Sequence, residues 1–277
     1  MIQNNAMLVE LNIRTWAARR MDKGVSEEVA AQKQAVRKAG NYNKHLLAGS
    51  DKIEQVNKVA AAARQFHYKH TLAWSDNGAR ILPVVAFASY TEKMRGFEAE
   101  FEGVVEEFVT EYPNLIVLAE RDLGVMFNVN DYPAPETIKS KFGFSVSVMP
   151  IPASGDFRVD VGAEEMEILK NAYESRMECK VREAMEDAWR RLHECLTHMS
   201  DRLGGEKNIF RDSMVENALE MCELLKGLNI TGDEKMENLR LQLEDSLHGV
   251  DPQDLRTDKG FRLEMKHRVD ELLGAFV

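Results

Sequence analysis

From Ala163 to about Leu203 the chain carries neither proline nor glycine, and Val181, Ala188 and Cys195 alternate with Met185, Leu192 and Met199. That three-and-four spacing lines one face of a helix in a heptad-like seam. It predicts a single helix of roughly 40 residues and about 60 Å, at a rise of 1.5 Å per residue. A compact chain of 277 residues has a radius of gyration of about 19 Å, so such a helix outruns the body that carries it. Its far end is expected to project or to pack on another subunit, and a homo-oligomer is the expectation. Gly204-Gly205 stops the helix. A return helix is predicted from about Asn208 to Leu225, presenting Phe210, Met214, Ala218, Met221 and Leu225 and closing an antiparallel helical hairpin. Thr231-x-x-Glu234 is a capping signature for another helix, and a last one is expected over roughly Thr257 to Phe276.

The rest of the chain mixes helix with a little strand. Val9, Leu11 and Ile13 alternate in a strand pattern over residues 7 to 13. Ser26 with an acidic first turn predicts a helix closing at Arg37-Lys38 before Gly40, with Val25 stapled to Ala30. Asp51-Lys52-Ile53-Glu54 opens a helix expected to reach Trp74, and another is expected from Phe87 to Tyr112, with two shorter ones before Phe142. Phe142 to Val148 and Phe157 to Val161 alternate cleanly and predict a β-hairpin. Two strands alone are marginal in water, so this pair needs the 7–13 strand or a covering helix. The expected class is α+β, mostly α: long antiparallel helices with a small antiparallel sheet.

The formal net charge of -10 is unevenly spread. Residues 1 to 95 hold 15 Lys and Arg against 8 Asp and Glu, which leaves 21 against 38 for residues 96 to 277. We therefore read a basic N-terminal region, 1–95, joined to an acidic helical region, 96–277, that contains the β-hairpin. No apolar stretch approaches the roughly 18 residues that span a bilayer, and the N-terminus lacks a basic-then-apolar leader. No membrane association is expected, and a cytoplasmic location is. Cys179, Cys195 and Cys222 are odd in number and widely spaced, which suits reduced thiols better than a disulfide framework.

There is no phosphate-binding glycine loop, no dinucleotide fingerprint, no HExxH and no CxxC pair, so neither an enzyme nor a cofactor is expected. His67-x-x-His70 and Cys195-x-x-His198 each put two potential ligands on one helical face, but a tetrahedral metal needs partners that this spacing does not supply. Glu106-Glu107 and Glu164-Glu165 are assigned to solvated helix faces. The basic region differs because aromatics are interleaved with its cations. Trp16 lies among Arg14, Arg19, Arg20 and Lys23; Lys33, Arg37 and Lys38 follow; Tyr42 neighbours Lys44 and His45; Lys58, Arg64 and Lys69 mark a further stretch with Phe66 and Tyr68. Cations along a backbone and aromatic faces under bases are how single-stranded nucleic acid is gripped. Single-stranded DNA is the expected partner, with Arg14, Trp16, Arg19, Arg20, Lys23, Lys33, Arg37, Lys38, Tyr42, Lys44, Lys58, Arg64 and Lys69 as its contacts. Set against this, Trp16, Phe66 and Trp74 are spaced as core residues also are.

At Asn12-Ile13-Arg14-Thr15-Trp16-Ala17-Ala18-Arg19-Arg20, Phe66-His67-Tyr68, Thr71-Leu72-Ala73-Trp74, Asp76-Asn77-Gly78-Ala79-Arg80-Ile81-Leu82-Pro83 and Gly155-Asp156-Phe157-Arg158-Val159, the chain resembles a family of phage and prophage proteins classed as a domain of unknown function. The resemblance continues through His198 to Leu203 and Phe210 to Ser213. It implies a bacterial host cytoplasm and a place beside replication and recombination genes, and it brings no catalytic residues. A phage or host protein partner for the acidic region, as an adaptor or a host-defence inhibitor, is the alternative it leaves open.

Overall fold

The computed structural model describes residues 2–76, 78–154, 162–205 and 213–276. In chain order its elements are β1 (Ala6–Arg14), β2 (Arg19–Asp22), α1 (Lys23–Gln32), β3 (Tyr42–His45), α2 (Lys52–His70), β4 (Leu72–Ala73), β5 (Arg80–Pro83), α3 (Phe87–Leu123), α4 (Pro135–Ile138), β6 (Gly143–Met149), α5 (Ala163–Gly204), α6 (Ser213–Leu228), α7 (Glu234–Leu247), α8 (Pro252–Thr257) and α9 (Lys259–Gly274). The protein is α+β and mostly α. One sheet has the order β4-β5-β1-β6 and a separate ribbon joins β2 to β3. The expected pairing of the 142–149 strand with the N-terminal strand is present. Its other expected partner, Phe157 to Val161, lies outside the described residues.

Packing divides the chain differently from charge. One unit gathers Met1–Glu10, Tyr68–Tyr90 and Ser147–Val277; the other gathers Leu11–His67 and Thr91–Val146. The first unit buries Leu192, Leu196, Met199 and Leu203 of α5 with Leu225 of α6, Leu243 of α7, Leu255 of α8 and Val269 of α9, and with Leu8, Leu72 and Ile81 from the strands. In the α5 seam Met185, Ala188, Leu192 and Met199 are buried, while Val181 and Cys195 are half-buried. Helix α5 packs against α9 as well as α6, so the expected two-helix hairpin is part of a larger bundle. Phe210 and the start of the expected return helix lie outside the described residues.

The second unit is built on α2 and α3. Phe101, Val105, Phe108, Tyr112, Leu115, Ala119 and Leu123 recur at three and four along α3 and are all buried. That stripe continues beyond Pro113, which lies inside the helix. An internal proline costs a helix about 3 kcal/mol, and burial of Leu115, Ala119 and Leu123 offsets it. The expectation that this helix ends at Tyr112 is corrected accordingly.

Four other boundaries move for local reasons. Helix α1 starts at Lys23, capped by Asp22, whose Oδ1 accepts the Val25 N–H at 3.1 Å. Ser26 is therefore not the cap but a buried hydroxyl inside the first turn, donating to the Asp22 carbonyl and accepting the Tyr42 N–H at 2.9 Å. At its other end α1 stops at Gln32 because Gln34 adopts a left-handed φ of 50°. The Ala35 N–H then reaches the Ala30 carbonyl at 2.9 Å and the Gln34 N–H the Ala31 carbonyl at 3.1 Å, closing a Schellman turn. Helix α2 stops at His70, not Trp74, since Leu72 and Ala73 pair with Ile81 and Arg80. Helix α7 takes its cap from Asp233, not Thr231, through the Lys235 and Met236 N–H groups at 2.9 and 3.1 Å.

Candidate functional site

Strands β2 and β3 pair antiparallel in the register Arg19↔His45, Arg20↔Lys44, Met21↔Asn43, Asp22↔Tyr42. Cross-strand partners share a face, so Arg19, His45, Met21 and Asn43 form one side of the ribbon, and all four are exposed. Between the strands the chain makes α1 and a short 3-10 turn, Arg37–Ala39. Eight of the sequence-derived residues fall in the stretch from Arg19 to His45, and seven of them, Arg19, Arg20, Lys23, Lys33, Arg37, Lys38 and Tyr42, are not buried, the eighth being Lys44. Arg19, Lys23, Lys33 and Lys38 are exposed, and among the described residues no ion pair holds them. Arg20 lies 3.5 Å from Asp131 but keeps two-thirds of its side chain in solvent. Arg37 donates to the Gly40 carbonyl at 3.1 Å and to Asn41 Oδ1 at 3.0 Å.

The remaining candidates are elsewhere or otherwise engaged. Lys44, on the other ribbon face, is buried; its Nζ lies 2.9 Å from Asp131 and 3.6 Å from Asp22 and donates to the Met126 carbonyl. A lysine so enclosed is a structural cation. Trp16 packs against the second unit's core, with the Phe108 ring at 6.3 Å and the Tyr112 ring at 5.7 Å, so its indole is part of the fold. Phe66 likewise meets Phe97, with centroids 5.8 Å apart. Arg64 donates to the Ile13 carbonyl at 2.8 Å and ties α2 to the end of β1. Lys69 belongs to the other unit and pairs with Glu220. Arg14 is exposed, with its guanidinium over Gly143, and Lys58 is exposed on α2.

A groove of about 310 Å³ opens beside the ribbon, lined by Ser26, Val29 and Ala30 from α1, by its capping residue Lys33, and by Ala35, Ala39, Gly40, Asn41 and Tyr42. Positions 26, 29, 30 and 33 fall on one helical face, which turns Glu27 and Glu28 to other directions. The i, i+3, i+4, i+7 spacing was the sequence signal for this groove, and the charge pattern obscured it.

The other motifs hold less. Among the described residues no group of three His, Cys, Asp or Glu side chains is placed to hold a metal ion. His67 is buried, and burial pushes the Cys195 thiol up to about 11. Glu106 pairs with Lys139 at 2.6 Å and Glu107 lies 3.6 Å from Lys52. No helix among the described residues is long and apolar enough to cross a membrane. No family model, curated protein or solved structure matches the chain.

Proposed function

We propose that this protein binds nucleic acid through the surface made by β2, α1, the 3-10 turn and β3, reading the phosphate backbone, and that it acts without catalysis in phage-type DNA replication or recombination. One observation carries the reading: Arg19, Lys23, Lys33 and Lys38 are exposed and, among the described residues, held by no ion pair, all within one small ribbon-and-helix segment beside the largely solvated Arg20. Between residues 14 and 45 the chain holds eight cations (Arg14, Arg19, Arg20, Lys23, Lys33, Arg37, Lys38, Lys44) against Asp22, Glu27 and Glu28. Asp22 faces Lys44, so it does little to offset the outward field. The resemblance to phage and prophage proteins supports the DNA context. With Trp16 and Phe66 packed into the fold, the cations come first in the binding.

A salt titration tests this. Each phosphate neutralised by Lys or Arg releases condensed counterion, so log affinity falls with log salt by about 0.7 per contact on a single strand and about 0.9 on duplex. Replacing Arg19, Lys23 and Lys38 with Glu should weaken binding to every sequence alike and flatten that slope. Lys23→Glu places an acid in the first turn of α1, where the helix dipole favours it, and thermal melting of the triple variant separates a loss of binding from a folding defect. Wild-type protein that shifts no oligonucleotide at low salt would end the proposal.

A further inference from the structure

Resting on that reading, we propose that the groove between α1 and β3 receives one unpaired nucleobase, which makes the surface selective for single strands. Its floor is made only of small side chains, Val29, Ala30, Ala35 and Ala39, and no larger residue fills it. Tyr42 lines the groove and is 40% exposed. The tyrosine backbone is held by its N–H bond to the buried Ser26 hydroxyl, which ties β3 to α1 along the groove. At about 310 Å³ the space is at the small end of ligand pockets, which run from roughly 300 to 1,000 Å³. It suits a single flat heterocycle.

The charge around the groove selects the occupant. Lys33 lines it, Arg37 is bonded to two of its lining residues, Gly40 and Asn41, and Lys38 is exposed on the same 3-10 turn. No acidic side chain lines it. An apolar slot with an aromatic lining residue and a cationic rim complements a planar ring carried on an anionic chain, which is a nucleotide of an unpaired strand. A duplex presents the same phosphates but keeps its bases stacked within the helix, so it reaches the rim and leaves the slot empty. An acidic peptide bearing an aromatic residue has a similar outline, and the experiment separates it.

The test compares three probes by fluorescence anisotropy at one salt concentration: an oligothymidylate, an abasic strand of the same length and the corresponding duplex. One stacked base is worth about 1–3 kcal/mol, or about 5-fold to 150-fold, so wild-type protein should prefer the oligothymidylate to the abasic strand within that range. Tyr42→Ala should erase that preference while leaving abasic and duplex binding in place, and Tyr42→Phe should restore it. Thermal melting of each variant checks that the fold is retained. Equal wild-type affinity for the thymidylate and abasic strands, both salt-sensitive, overturns the base slot and spares backbone binding. A Tyr42→Ala variant that weakens all three probes equally overturns it too. Absence of binding to any probe removes both readings, and capture of an acidic aromatic peptide in their place assigns the groove to a protein partner.

Discussion

The indole of Trp16 meets the Tyr112 ring edge-on, with centroids 5.7 Å apart and planes at 86°. Tyr112 is fully buried and its hydroxyl donates to the Pro133 carbonyl at 3.0 Å, so Trp16 closes over an anchored ring. Trp16→Ala should lower folding stability by about 3–5 kcal/mol through lost burial and a cavity. Nucleic-acid affinity per folded molecule should stay the same. Urea unfolding and anisotropy on one preparation check both, and a stable variant with weakened binding would return Trp16 to the interface.

Lys44 and Asp131 make the buried ion pair that holds the ribbon to the segment after α3. Removing Lys44 takes from Asp131 and Asp22 their enclosed counter-charge and leaves Asp131 only the largely solvated Arg20 at 3.5 Å. Lys44→Met should therefore cost more than Lys38→Met at an exposed position, by about 1–3 kcal/mol because Arg20 still neighbours Asp131. Comparing their denaturant midpoints is the measurement.

Gln34 holds the left-handed position of the Schellman turn after α1, where glycine carries no Cβ penalty. Gln34→Gly should raise stability by about 0.5–1 kcal/mol, the strain relieved being partly offset by a more flexible unfolded chain. A fall in melting temperature would contradict the turn assignment.

Burial pushes the Cys195 thiol up to about 11 and the Cys222 thiol up to about 12. Since the thiolate is the reactive species, both should resist alkylation at neutral and mildly alkaline pH until the protein unfolds. Mass spectrometry after brief iodoacetamide treatment should find Cys179 modified first.

Hydrogen bonds from Arg240 hold the Glu237 and Glu244 carboxyls below the usual range, and bonds from Lys266 and Ser200 do the same for Asp270. Groups whose folded pKa is depressed stabilise the fold above their unfolded values, about 3.9 for Asp and 4.3 for Glu, and that contribution is lost as pH falls through the folded values. Melting temperature should therefore drop through acid pH below about 4. Arg240→Met should reduce stability near neutrality and flatten that acid slope, modestly because Glu237 and Glu244 are partly solvated.

Long periodic segments were readable because burial imposes one period over many turns. The seam of α5 was read from spacing and is largely buried, and Ile53, Val56, Ala60 and Ala63 recur at the same spacing on the buried face of α2. Short elements were hidden. Strands β2 and β3 have four residues each and are rich in charge, so no alternation marks them, and the four residues of β5, Arg80-Ile81-Leu82-Pro83, show none either. Strand β1 blurs its own period because Leu8 and Val9 are both buried. The candidate site was legible as a cluster of cations but not as a surface. Which of Lys33, Lys44 and Lys69 faces solvent depends on Asp131 and Glu220, carboxylates distant in sequence.

Helix α5 is 42 residues long, and none before Ala184 is fully buried. Its later turns are locked by the bundle, whereas its earlier turns rest on local ion pairs such as Lys180 with Glu183 and on a few anchors such as the Tyr173 hydroxyl at the Pro152 carbonyl. Free energies of local opening track such differences in buried contact. Amide hydrogens near Ile168 should therefore exchange with solvent well before those near Leu196, and a protease should nick the early turns while the rest of the bundle stays closed. In thermodynamic terms one uninterrupted helix contains two cooperative segments.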